Sequence, residues 1–322
     1  MKIKRVRYKI NSFWPIAFVR VACKRLILPG FDGLSFYDVS IFFLKGLWQG
    51  SITTRAAALS FTFFLALFPA IIFFFTLIPY IPIAGFQDTL LVMLQNVLPK
   101  AAYENALTTI IDIVKRQHGS LLSFGFIAAL YFSTSGISAI MIAFNESVHI
   151  KETRTVLKQK LIAILLVFIL SILTVVAIAL ITAGSSLLNH LMKSGYLQSN
   201  FTYYALMIGK WIIAIALFFF VISFLYYLAP SKHSRFRFIS AGSTLATLLF
   251  ILSSIGFNFY ISHFATYNKL YGSIGALIII LMWIYINAIV LLIGFELNAS
   301  LRSARARNKI IISTPVKKIF PS

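Results

Sequence analysis

Few residues in this chain are equipped for chemistry: five histidines, eight acidic side chains and one cysteine, Cys23, in 322 residues. A metal-dependent nuclease or hydrolase needs several His or carboxylate ligands converging on one ion, commonly at close spacings. His118, His149, His190, His233 and His263 are scattered along the chain. Glu146 and His149 stand at i and i+3, yet no further ligand lies near them in sequence, and a solvated helix end accounts for both. STSG at Ser133–Gly136 lacks the Gly-x-Ser-x-Gly elbow that exposes a serine nucleophile. A lone cysteine makes neither an internal disulfide nor a metal pattern. The expectation is a non-enzymatic protein without catalytic residues, metal or cofactor.

One acid raises a different question. Glu296 stands near the end of MWIYINAIVLLIGFELNAS, Met282–Ser300, an otherwise oily stretch. Asn287, Gly294 and Asn298 share one helical face there, and Tyr285, Ile289, Leu292 and Glu296 share the opposite one, at 100° per residue. A helix with polar groups on both faces belongs between neighbours.

The elements that must position these groups are membrane spans. Sixty per cent of the residues are hydrophobic and 11% charged, against about a quarter charged in soluble domains. Six apolar runs reach the roughly 20 residues that cross a bilayer: Ala56–Ile78, Leu121–Phe144, Leu161–Leu188, Tyr204–Ala229, Ile239–His263 and Ser273–Asn298. The net charge of +21 would suit nucleic acid if it were clustered on a soluble face. Instead the bases occupy alternate connecting segments, 23 on one side and 5 on the other, with Lys210 at an outer helix end. That alternation predicts a multi-pass protein of the bacterial inner (plasma) membrane with cytoplasmic N- and C-termini, and no nucleic acid partner. The predicted organisation is a basic cytoplasmic arm at 1–34, an interfacial amphipathic helix at 35–50, a six-span domain at 51–300 and a basic cytoplasmic tail at 301–322. Anionic membrane lipids are the expected partners, drawn to the basic inner surface.

Two apolar segments are too short to span. SFYDVSIFFLKGLWQ, Ser35–Gln49, opens with a Ser-x-x-Asp capping pattern and separates Asp38, Lys45 and Gln49 from Phe36, Val39, Phe43 and Leu47. The outer loop, with LLVMLQNVLPK and ENALTTIIDIVKRQ, predicts two short amphipathic helices bounded by Pro82 and Pro99. Pro69 could kink the first span, and Pro79 with Pro82 could end it.

On the fifth span Gly242, Ala246, Ser253, Gly256 and Tyr260 fall on one stripe, each within about 40° of Gly242 at 100° per residue. The stripe reads either as a small-residue helix contact or as the wall of a polar cavity, with Asn258 and His263 near its outer end and Asn287 on the sixth span. For Glu296, counting about 20 residues from Ser273 reaches the inner boundary near Leu292 and puts the acid a turn beyond. At a helix C-terminus the macrodipole disfavours it, and position i+4 offers only Ser300. Arg55, at the inner end of the first span, is the expected partner, with Lys45 second. Solvation, a structural ion pair and a proton- or substrate-coupling role all remain open.

RAAALSFTFFLALFPAIIFFF at Arg55–Phe75, SFGFIAALYFSTSGISAIMIAFN at Ser123–Asn145, LYYLAPSKHSRFRFISAGS at Leu225–Ser243 and YNKLYGSIGALIIILMWIYINAIVLLIGFELNAS at Tyr267–Ser300 resemble the YihY/BrkB family. The resemblance implies a six-helix inner-membrane protein with cytoplasmic termini. Family members once carried the label ribonuclease BN, now regarded as a misassignment, and BrkB refers to serum resistance. What it implies is an envelope-associated membrane protein, often suggested to be a transporter, with no established catalytic residues to carry over. The expectation is therefore an all-α polytopic protein that transports or flips an envelope component, such as an anionic lipid or amphiphile. The competing class is a non-transporting scaffold for envelope proteins or lipids; a membrane-bound hydrolase or ribonuclease ranks below both.

Overall fold

The computed structural model describes residues 21, 24–27, 30–31, 33–80, 87–88, 90–92, 100–147, 154–194, 200–231, 239–263 and 273–313. The helices are α1 (Phe36–Gln49), α2 (Ile52–Leu77), α3 (Lys100–Lys115), α4 (Gly119–Asn145), α5 (Val156–Lys193), α6 (Asn200–Leu228), α7 (Ala241–His263) and α8 (Ser273–Ser313). Among the described residues there is no strand, and α2, α4, α5, α6, α7 and α8 are long and apolar enough to cross a membrane. Such spans must be helical, because hydrocarbon offers backbone amides and carbonyls no partner.

The six spans pack as a ring in chain order. Each touches the next, and α8 closes on α2. With six spans, the start of α2, the end of α4, the start of α5, the end of α6, the start of α7 and the Glu296 region of α8 share one end, here called the near end. The core gathers there. It takes Ile52, Ala56 and Leu59 from α2, Ile140, Met141 and Phe144 from α4, Ile222 and Tyr226 from α6, and Leu292 and Phe295 from α8. Phe144 and Phe295 stack with ring centroids 3.9 Å apart and 4° between planes. Tyr226 meets both edge-on, 5.6 and 5.8 Å away, and its hydroxyl donates to Leu291 O at 2.6 Å. This aromatic cluster closes the near end of the ring from three helices.

The capping pattern forms as written. Ser35 Oγ accepts from Asp38 N at 3.1 Å and starts α1. One side of α1, with Val39 and Gly46, lies on α8, while Ile41, Leu44 and Trp48 on the other side are exposed, Trp48 by 91%. α3 realises the second outer-loop helix, burying Val114 and leaving Ile111 exposed. Its Lys115 ammonium meets Asp88 at 3.0 Å. Of the first outer-loop helix the stretch 93–99 lies outside the described residues and 90–92 is helical; the basic arm up to Arg20, Cys23, His149 and His233 lie outside them as well.

α2 runs through Pro69 to Leu77 and then tightens into a 3₁₀ turn at Ile78–Tyr80, so the helix ends at Pro79. One expectation about a helix end is corrected. α8 does not stop near Asn298; it runs on to Ser313, giving 41 residues. No Gly or Pro interrupts it after Gly294, and Leu297, Leu301 and Ala304 pack with Phe31, Leu34 and Val39 beside α1. Packing on α1 carries the helix past the length that hydropathy alone measures.

Candidate functional site

The extension of α8 changes the setting of Glu296. The acid is interior to a helix rather than at its C-terminus, so the macrodipole penalty does not apply. Nor is it solvated at an interface: Glu296 is 0% exposed. Counting residues from Ser273 located it along the axis, but α1 folds over it and removes the water.

Sequence brings α1 onto this spot through one small residue and one tight corner. Gly46 sits against the Glu296 carboxylate so closely that a Cβ there would overlap it. Gly50 ends α1 by donating its N–H to Gly46 O at 2.8 Å. Ser51 follows with φ 47°, a left-handed conformation uncommon outside glycine, and turns the chain into α2. One turn into α2 stands Arg55, 5% exposed, with Nη2 3.7 Å from Glu296 Oε2. Its Nη1 donates to Ala143 O, the unpaired end of α4, at 2.6 Å. Its Nε and Nη2 have no hydrogen-bond partner among the described residues. Ser147, just past α4, shares its hydroxyl proton between the Glu296 oxygens at 3.0 and 3.2 Å. Lys45, the other candidate partner, is exposed on α1.

The site thus joins α1, α2, α4 and α8 around one buried charge pair. The pair is in contact as charges, but its geometry leaves two guanidinium nitrogens underused. Sequence reading missed Ser147 and Gly46. Ser147 sat beside the more conspicuous Glu146, which is exposed. The available signal was Gly46 and Gly50, four apart on one face of an otherwise bulky helix.

The opposite face of α8 carries the second seam. Gly242 and Gly294 meet backbone to backbone, and a Cβ on either would overlap the other helix. Asn298 Oδ1 accepts from Gly242 N at 2.8 Å, and Asn298 Nδ2 donates to Ser240 Oγ at 2.9 Å. A side chain of α8 thereby caps the start of α7, whose first amides have no helical partner. Similar ties hold α6: Arg154 donates to Ala229 O at 2.6 Å, and Ser231 N to Asn145 Oδ1 at 3.0 Å.

The stripe on α7 does not act as a unit. Gly242 and Ala246 lie in the seam with α8. Ser253 is half-buried and donates to Phe250 O at 2.9 Å, whereas Gly256, Asn258 and Tyr260 are exposed. Farther along, the contact lies off the stripe, where Phe257 meets Trp283 with rings 4.8 Å apart. Asn287 turns back on its own helix, donating to Trp283 O at 2.8 Å. These residues therefore do not together wall a cavity between α7 and α8.

A cavity of about 550 Å³ lies elsewhere, as a lateral groove between α2, α4 and α5. Thr62, Tyr131, Thr134, Ser135, Ser138 and Lys160 supply its polar lining. The STSG run is split by it: Gly136 is buried against Phe63, while Thr134 and Ser135 line the groove. Near the opposite end of α6 from the aromatic cluster, Lys210 is 8% exposed, packed on Gly184, with Nζ 5.3 Å from the Trp211 ring. It is more deeply covered than its place at a helix end suggested. Among the described residues, no three His, Cys, Asp or Glu side chains come together to hold a metal.

Comparison with known proteins agrees with this architecture. The family model described as Virulence factor BrkB matches residues 43–313. A putative ribonuclease-like protein YfkH of Bacillus subtilis is 30% identical over 253 residues, 78% of this chain and 90% of that protein. A UPF0761 membrane protein of Aliivibrio salmonicida is 28% identical over 265 residues, 81% of this chain and 82% of that protein. No solved structure matches.

Proposed function

The chain belongs to the Virulence factor BrkB family of multi-pass membrane proteins, and from that premise we propose that it transports or flips an amphiphilic envelope component across the bacterial inner membrane. The observation that carries this reading is the buried Arg55–Glu296 pair at the near end of a six-helix ring. A buried ion pair is a poor way to obtain stability, since apolar residues of similar volume often do as well or better. Ionisable groups inside membrane domains commonly serve proton or substrate movement. Among the described residues α1 lies over Glu296 at Gly46, and its other side, with Ile41, Leu44 and Trp48, is exposed, so a shift of α1 would open the site while α2, α4 and α8 stay in place. The charge alternation supports a cytoplasmic near end and cytoplasmic termini.

The protein is read as non-enzymatic. The ribonuclease-like name belongs to the relative, and the acids and histidines described here are distributed rather than gathered. A second reading, a scaffold that moves nothing, is favoured by one observation: the same near end is tied by Arg55, Asn145, Arg154 and Asn298, each reaching another helix end.

Reconstitution into liposomes with labelled lipids and envelope precursors, with and without a pH gradient, separates the readings. Transport predicts leaflet movement above protein-free vesicles that Glu296→Gln abolishes. Movement no faster than in empty vesicles for every probe would leave the scaffold.

A further inference from the structure

The lateral groove lies on the face of α4 turned away from the core. Core residues Ile140 and Phe144 point one way, and Tyr131, Ser138 and Ile142 lie about 160–180° around the helix from Ile140 at 100° per residue. The groove gathers five hydroxyl side chains and one cation on this surface. Thr62 donates its proton to Ala58 O at 3.0 Å, and Ser138 donates to Thr134 O at 2.8 Å. Their protons are engaged, and their oxygens remain acceptors on the groove. At the near end stands Lys160, an exposed cation one turn into α5, with three donors and no acceptor. From Ile142 to Ile127 the groove follows α4 for about 22 Å, longer than one leaflet of a hydrocarbon core about 30 Å thick.

We propose that this groove docks an anionic phospholipid of the near-side leaflet whose headgroup carries free hydroxyls, its phosphate on Lys160 and its headgroup folded back into the groove, so that the hydroxyls meet the acceptor oxygens of Thr62 and Ser138 deeper along it. Charge selects the lipid at Lys160. The acceptor track selects a donor-bearing headgroup over a bare phosphate, and the apolar stretch toward Ile127 takes an acyl chain. The site names the substrate class for the transport reading and rests on that reading only for movement; docking stands by itself.

The test uses the full chain in phosphatidylcholine nanodiscs with spin-labelled phosphatidylglycerol, phosphatidic acid or phosphatidylcholine, reading the immobilised fraction. The expected order of retention is phosphatidylglycerol, then phosphatidic acid, then phosphatidylcholine. Lys160→Gln lowers phosphatidylglycerol affinity by about fivefold, the effect of one base near an anionic surface. Lys158→Gln, the same charge change about 200° around α5, leaves it unchanged. Thr62→Val with Ser138→Ala brings phosphatidylglycerol down to the phosphatidic acid level. Equal losses from Lys158→Gln and Lys160→Gln would overturn the site in favour of a diffuse basic surface. Spontaneous disulfide formation between copies carrying Tyr131→Cys would overturn it in favour of a subunit contact. Specific retention without leaflet movement would keep the site and reject transport.

Discussion

The two halves of the ring are built differently. In the near half every span meets its neighbours through buried side chains, an aromatic cluster, two glycine contacts and polar caps that reach from one helix to the end of another. In the far half of α7, by contrast, Ile251, Leu252, Ile255, Phe259 and Tyr260 are all exposed, and α5 likewise exposes Phe168, Ile172, Val175 and Val176. Hydrocarbon covers such residues as well as protein does, so burial against another helix gains little there. What holds a membrane helix is close backbone approach and hydrogen bonding. The ties from one helix to the end of another lie at the near end, while in the far half α2 and α4 keep a close approach at Phe73 and Gly125. The near half sets the position of the helices; in the far half the exposed stretches of α5 and α7 are the ones left free to change their spacing.

Substitutions can break or sharpen that contrast. The largest loss is expected for Glu296→Gln, which strands Arg55 in a buried site at about 3–5 kcal/mol. Thermal unfolding in detergent measures it. Arg55→Met with Glu296→Leu should recover most of that stability while losing any pH-dependent transport, because an apolar pair removes the uncompensated charge. Equal destabilisation by the single and the double change would show that the charges are not paired energetically.

Gly294→Leu comes next. It drives a side chain into α7 at Gly242 and should destabilise by about 1–3 kcal/mol, typical of overpacking. Unchanged unfolding would mean the seam is looser than the contact at Gly242 requires. Asn298→Ala removes the tie to Gly242 N and Ser240 Oγ, for about 1 kcal/mol as in other N-cap losses. Faster amide hydrogen exchange confined to the start of α7 should accompany it. Ile255→Ala, in the exposed part of α7, should stay within about 0.5 kcal/mol of the parent. A loss as large as that of Asn298→Ala would erase the difference between the halves.

The six spans were legible because hydrophobic length is a local property of the chain, and the Ser35 cap of α1 was legible for the same reason. The burial of Glu296 was not. Depth along an axis follows from counting residues, but exclusion of water depends on α1 folding back so that Gly46 meets a residue near the other end of the sequence. Arg55 was legible as a neighbour because both residues mark the same depth, whereas Ser147 lay in a connection whose path no periodicity specifies. The α7 stripe was legible in part: Gly242 and Ala246 make the small-residue contact with α8, whereas Gly256 and Tyr260 on the same stripe are exposed and Phe257 beside it meets Trp283 instead.

The 41 residues of α8 have one mechanical consequence. At 1.5 Å per residue the helix is about 60 Å long, roughly twice the thickness of the hydrocarbon core. It is a lever with its fulcrum at Gly294, where α7 bears on it. A tilt of about 5° over that length displaces one tip by about 5 Å relative to the other. The segment beyond Ser300 therefore gives any force applied outside the bilayer a rigid arm ending on the carboxylate that Arg55 and Gly46 enclose.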